Sequence, residues 1–245
     1  MIGAIGSVTL RALISRRRAI LMVLLCLAPV GMGLLVRFRG LPGDPVDRTA
    51  SLIELLIVRS VLPLVALVFG TSAIGAELED GTAVHLLTKP IGRWRIVSGK
   101  LLAAAPVAAV LVTGSTLLTG IAVGAERGTM PVTIAFAIAV AIGSLAYVVV
   151  FIALSVITTR ALIIGLIYVV IWEGILAGLF EGTRVLSIRE YTMSLAAALA
   201  PEGVVGTASA PLALSTAIPA LVIAIIAAFV LASERLAVVE TASGD

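Results

Sequence analysis

The chain is poor in the residues that most chemistry needs: of 245 residues one is cysteine and one is histidine, with 4% aromatic and 13% charged. Each scarcity excludes a class. Cys26 sits alone inside an apolar run, so the chain has no internal disulfide and no multi-cysteine metal site. His85, also alone, leaves no paired-histidine metal motif and no histidine beside a serine nucleophile in an apolar segment. A soluble domain covers itself with about 25% charged residues, and this chain has about half that share. With 60% hydrophobic residues and a mean hydropathy of +1.21, it is solvated largely by lipid. The net charge of +3 comes from 17 basic and 14 acidic residues that form no dense basic patch, which argues against nucleic-acid binding.

What the chain does have is long charge-free runs. Crossing a hydrocarbon core of about 30 Å takes roughly 20 helical residues. Six runs qualify: Ala19 to Val36, Ser51 to Ile74, Leu101 to Ala125, Pro131 to Thr158, Ala161 to Phe180 and Pro211 to Ala232. Only Glu54, Arg59 and Glu173 of the 31 charged residues fall inside them. The runs are continuously apolar and lack the alternation of barrel strands, so the expected class is all-α, a polytopic membrane protein with about six transmembrane helices in one domain. Thr159 and Arg160 alone separate the fourth and fifth runs, which suits a tight hairpin.

Arg16, Arg17 and Arg18 precede the first run, and no small-residue cleavage site follows before Arg37, so the run reads as a retained span. Residues 1–18 read either as an interfacial helix or as a frayed tail. The triple arginine places the amino terminus in the cytoplasm. Six spans then bring the carboxyl terminus to the same side, with ten basic residues in cytoplasmic segments, six outside and Arg59 within the bilayer.

Residues 75–100 concentrate charge, turn formers and an aromatic in one cytoplasmic connection. Glu77, Glu79 and Asp80 end in Gly81; Thr82 can cap a short helix, and Pro90 stops it. Val84, Leu86 and Leu87 are too few to enter lipid as a span, so a small knob results, with Trp94 between Arg93 and Arg95 marking the return to the headgroups.

These residues resemble the permease subunits of type-2 ATP-binding-cassette transporters, a mainly exporting class. The resemblance rests on Glu77, Glu79, Gly81, Thr82, Leu86, Leu87, Pro90, Arg93, Gly99 and Lys100, with the six-span outline as support. It implies that Ala83 to Thr88 form a coupling helix seated in a separate ATPase subunit. The coupling residues would be Glu77, Glu79, Gly81, Thr82, Val84, His85, Leu86, Leu87, Pro90 and Arg93. It also implies two ATPase subunits per complex, a second permease copy or a related permease, and short re-entrant helices within residues 181–210. No cofactor is expected in this chain; ATP and Mg would be bound by the partner. Gly99-Lys100 lacks the upstream glycine of a phosphate loop and is followed by Leu101.

Ionisable residues in a span are costly and face protein or water. Glu54 and Arg59 are five apart, about 140° around an α-helix, so they are poor internal partners. Arg59 is expected to meet Glu173, either lining a substrate path or as an interhelical ion pair. Glu54 lies near the outer surface, where it either snorkels into the headgroups or joins the path or ion-pair residues. Gly120 with Gly124, and Gly174 with Gly178, allow close helix contact. Within the outer connection Tyr191 to Ala200 is long enough only for a short helix that dips into the bilayer or lies on it. The functional expectation is an ABC export permease in a prokaryotic plasma membrane, without an ATPase site of its own. The alternatives are a membrane-embedded enzyme and an assembly protein without transport.

Overall fold

The computed structural model describes residues 16–40, 43–79, 92–124, 129–177, 181–201 and 212–242. The described residues are helical almost throughout. Helix α1 spans Arg16–Arg39. Helix α2, Pro45–Leu52, starts with proline in its first turn and an Asp44 cap that accepts from Val46 N at 3.0 Å. It runs on without a break through a π-helical segment, Ile53–Val61, into α3, Leu62–Glu79. Helices α4 and α5 are Arg93–Val123 and Thr129–Ile157. Helix α6, Ala161–Ile167, continues as a second π segment, Tyr168–Leu176. A 3-10 turn over Glu181–Leu186 leads to α7, Ile188–Leu199, and α8 closes the fold at Leu214–Ala242.

Among the described residues five helices are long and apolar enough to cross a membrane, where six were expected: Ile20–Arg39, Pro45–Ile74, Arg93–Val123, Thr129–Ile157 and Leu214–Leu236. The fifth apolar run instead forms the shorter helix Ala161–Leu176. The second and third helices also begin earlier than their charge-free runs, at Pro45 and Arg93. A helix persists past the hydrocarbon into the headgroups, where charged side chains no longer oppose it. Prolines inside α1, α4 and α8 (Pro29, Pro106 and Pro219) are tolerated where neighbouring helices and backbone adjustments compensate for the lost bond.

Helix α5 is the axis of the bundle, packed against α2, α3, α4, α6, α7 and α8. Its Phe136, Tyr147, Phe151 and Ile152 are fully buried. Close approach depends on small residues, as expected without a hydrophobic drive between helices in lipid. A Cβ on Gly70 of α3 would stand 2.8 Å from Phe151 Cβ, and one on Gly120 of α4 would collide with the Thr133 side chain. Gly120 thus makes the close contact expected of it, whereas Gly174 faces nothing beyond its own helix and Gly178 lies outside the described residues. Hydroxyls inside the bundle mostly bond back to the preceding turn, as in Thr71 to Leu67 O at 2.7 Å and Thr116 to Val112 O at 2.8 Å. Ser115 of α4 instead reaches Cys26 O of α1 at 2.6 Å.

Candidate functional site

Of the expected coupling residues, Gly81, Thr82, Val84, His85, Leu86, Leu87 and Pro90 lie outside the described residues, as does the segment Ala83 to Thr88. Glu77 and Glu79 fall in the last turn of α3. Arg93 opens α4, beside an exposed Trp94 whose ring carries the Arg95 guanidinium at 5.2 Å. This cation–π pair sits where the chain re-enters the bundle, the place its residues suit best. Lys100, one turn further in, is 1% exposed.

The intramembrane charges lie on the two π segments. Glu54 and Arg59 are on the first, Glu173 on the second. In a π-helix the hydrogen bond runs from i to i+5. Residues five apart therefore sit one wide turn above each other, so the 140° separation expected for Glu54 and Arg59 does not hold here. Nor does the structure bring Arg59 to Glu173. Arg59 is exposed on the bundle surface, and Glu173 is 2% exposed and bonded to other groups. Among the described residues no ion pair involves Arg59 or Glu54.

Glu173 organises a buried polar cluster. Its Oε1 accepts from the Tyr168 hydroxyl at 3.1 Å and from Ile188 N–H at 3.0 Å, and its Oε2 accepts from the Ser187 hydroxyl. Ser187 is the N-cap of α7, so the carboxylate stands at the positive end of that helix, where free N–H groups and the helix dipole favour an anion. The cap itself is completed by Glu190 N donating to Ser187 Oγ at 3.3 Å. Glu190 does not reach back as in a full capping box; it pairs with Arg189 at 2.8 Å and with Arg184 at 3.6 Å. Tyr147 of α5 stands fully buried in the field of Glu173 and Arg189.

The depth of this cluster follows from α5. Gly143 is the middle residue of that helix, and a Cβ there would stand 2.5 Å from Thr192 Oγ1 in α7 and 3.3 Å from Leu62 Cδ2 in α3. The second turn of α7 therefore lies at mid-bundle. The expected short helix at Tyr191 to Ala200 begins three residues earlier, at Ile188, with its start deep in the bundle. Helix α6 with its π continuation hands over to α7 there: the Glu173 carboxylate ties the two pieces together across the 3-10 turn.

Sequence reasoning passed over Tyr147, Tyr168, Ser187 and the Arg184–Arg189–Glu190 group. A signal for part of it exists. Ser187-Ile188-Arg189-Glu190 fits the S-x-x-E pattern of a helix start, which places an N-terminus at Ile188. No metal-binding group of three or more His, Cys, Asp or Glu exists among the described residues.

No curated protein matches the chain. A family model described as "ABC-2 family transporter protein" matches residues 15–232, nearly the whole of the bundle. The span of that match, over an all-helical bundle with five membrane-length helices, shows that the chain belongs to the ABC-2 family of transporter proteins.

Proposed function

We propose that this protein is the permease half of an exporter, drawing its energy from a separate ATPase. The family is that of ABC transporter membrane permeases, which are transport subunits and not themselves catalytic. The observation that carries the finer reading is the segment between α3 and α4. Its acidic turn, Gly81-Thr82, Leu86-Leu87, Pro90 and Arg93 resemble a coupling helix with its flanks.

In this reading Leu86 and Leu87 of each permease enter a groove on one of two ATPase subunits, which bind the ATP and Mg. Closure of the ATPases pushes the short helix, and the push passes into α3 and α4 because both continue from it. Glu77 and Glu79 on one side and Arg93 on the other hold the lever at the headgroup layer. Two permeases, two copies of this chain or one with a relative, enclose the path in a prokaryotic plasma membrane with both termini in the cytoplasm. Glu173 acts as a structural tie within the protomer, and Glu54 and Arg59 face outward from it.

The test is charge insertion at the knob. With Leu86→Glu or Leu87→Glu, the purified complex is expected to lose stimulated ATP hydrolysis while the chain still inserts into the membrane. Hydrolysis equal to wild type in either variant, with the complex intact, would overturn the coupling assignment.

A further inference from the structure

We propose that the exposed edge of the first π segment is the seat of a second copy of this chain, with Arg59 of each copy paired to Glu54 of the other. The proposal deepens the permease reading, since it rests on two permeases standing side by side.

The argument starts from depth. Leu62 touches the middle of α5, and Arg59 precedes it by three residues, about 5 Å at 1.5 Å per residue. The hydrocarbon half-thickness is about 15 Å. Arg59 is therefore well inside the core, where a cation costs about 2.5–3.5 kcal/mol on insertion scales. Yet it is exposed, on an edge that also bears Ser51 and Leu55, both exposed. A cation at this depth faces protein or water rather than lipid. Within the protomer the charge is left unpaired: among the described residues no ion pair involves Arg59 or Glu54, although the two stand one wide turn apart on the same segment.

The edge is complementary to itself. A two-fold axis along the membrane normal sets the same edge of two copies face to face, and an isologous contact pairs each residue with its counterpart's neighbour. Side chains on a helix lean toward its N-terminus. Here that direction runs from Arg59 toward the level of Glu54, so the guanidinium of one copy approaches the carboxylate of the other. Each charge then has one partner, in two symmetry-related pairs, with Leu55 packed between them.

The single native cysteine, Cys26, is buried, which makes oxidative cross-linking clean after Cys26→Ser. Leu55→Cys in that background is expected to form a disulfide-linked dimer in native membranes under copper phenanthroline. Ile223→Cys on α8, at 65% exposure, is expected to stay monomeric. Arg59→Glu should lower the Leu55→Cys yield about tenfold, since like charges then meet, and the exchange Glu54→Arg with Arg59→Glu should restore it. Glu54→Gln, which keeps the side chain's size, gives an independent reading should Arg59→Glu fail to insert; it too should lower the yield. A Leu55→Cys yield no higher than that of Ile223→Cys overturns the seat, and so does an exchange that restores nothing. Two copies copurifying with an ATPase while Leu55→Cys fails to cross-link would overturn this surface alone. A wild-type chain that brings down no ATPase would instead overturn the permease reading, with the cross-link still reporting on the surface.

Discussion

The two π segments treat charge in opposite ways. The segment Tyr168–Leu176 carries Glu173 inward, where two hydroxyls and a backbone N–H bind it at the start of α7. The segment Ile53–Val61 carries Arg59 outward with no ion pair among the described residues. Both use the same wider turn, so backbone geometry does not set the difference; what lies opposite does. Glu173 meets the free N–H groups of a helix that starts inside the bundle, and Arg59 meets the outside of the protomer. A charge that is satisfied within one chain holds that chain together. A charge left at the edge matters only when something else arrives.

The largest test of this contrast is to remove each charge and measure thermal unfolding of the detergent-purified protein. Glu173→Ala strips the acceptor from Tyr168, Ser187 and Ile188 N–H together, leaving buried donors unpaired. A cost of about 2–4 kcal/mol is expected. Arg59→Ala removes no bond within the protomer, and in the detergent-separated monomer it should stay within about 0.5 kcal/mol. Glu173→Gln retains a carbonyl oxygen for Ile188 N–H and should fall between them. Equal losses for Glu173→Ala and Arg59→Ala would erase the distinction between the two segments.

That contrast was only partly legible in the amino-acid sequence. The charge-free runs locate the membrane helices because hydrocarbon tolerates few ionised groups, and the described part of each of the six runs is largely helical. The runs understate the helices that extend into the headgroups, as at Arg93 and Arg95, where charge no longer argues against helix. They overstate the fifth, since apolar composition continues to Phe180 while the described apolar helix ends at Leu176. Which face Arg59 shows depends on neighbours far along the chain, and a helical wheel drawn at 3.6 residues per turn misplaces residues on a π segment. The S-x-x-E pattern at Ser187 is a local signal and could be read; that Glu173 closes the same cap from 14 residues away could not. The coupling segment, which drew the functional reading, lies outside the described residues, so its support is the family match and its own motif.

A smaller effect separates two glycines that flank the buried cluster. Gly143→Ala would set a Cβ 2.5 Å from Thr192 Oγ1 and 3.2 Å from its Cγ2, atoms on a short, stiff side chain. Helix α7 must shift, at a cost of about 1–3 kcal/mol. Adding Thr192→Ala removes both opposing atoms and should recover most of the loss. Gly174→Ala, next to Glu173 in sequence, meets only Val169 O of its own helix at 3.6 Å. It should be neutral within about 0.5 kcal/mol, or slightly stabilising, because alanine costs less helical entropy than glycine. A Gly174→Ala variant as damaging as Gly143→Ala would mean that the outward face of the second π segment is not free.

The smallest expected effect tests whether Glu173 and the α7 cap act as one unit. Ser187→Ala loses the acceptor for Glu190 N–H and one of the donors to Glu173, with a typical cap cost of about 1 kcal/mol. The carboxylate still holds Ile188 N–H at 3.0 Å and Tyr168 at 3.1 Å, so the loss should be well below that of Glu173→Ala. Ser187→Thr keeps the hydroxyl and should be close to wild type. In a Glu173→Ala background the same Ser187→Ala change should cost less by about 0.5 kcal/mol or more, because the bond joining the two is already gone. Strict additivity in that cycle would separate the cap from the carboxylate. Glu173 would then be a satisfied charge that happens to lie beside α7, and the tie between α6 with its π continuation and α7 would have to come from packing alone.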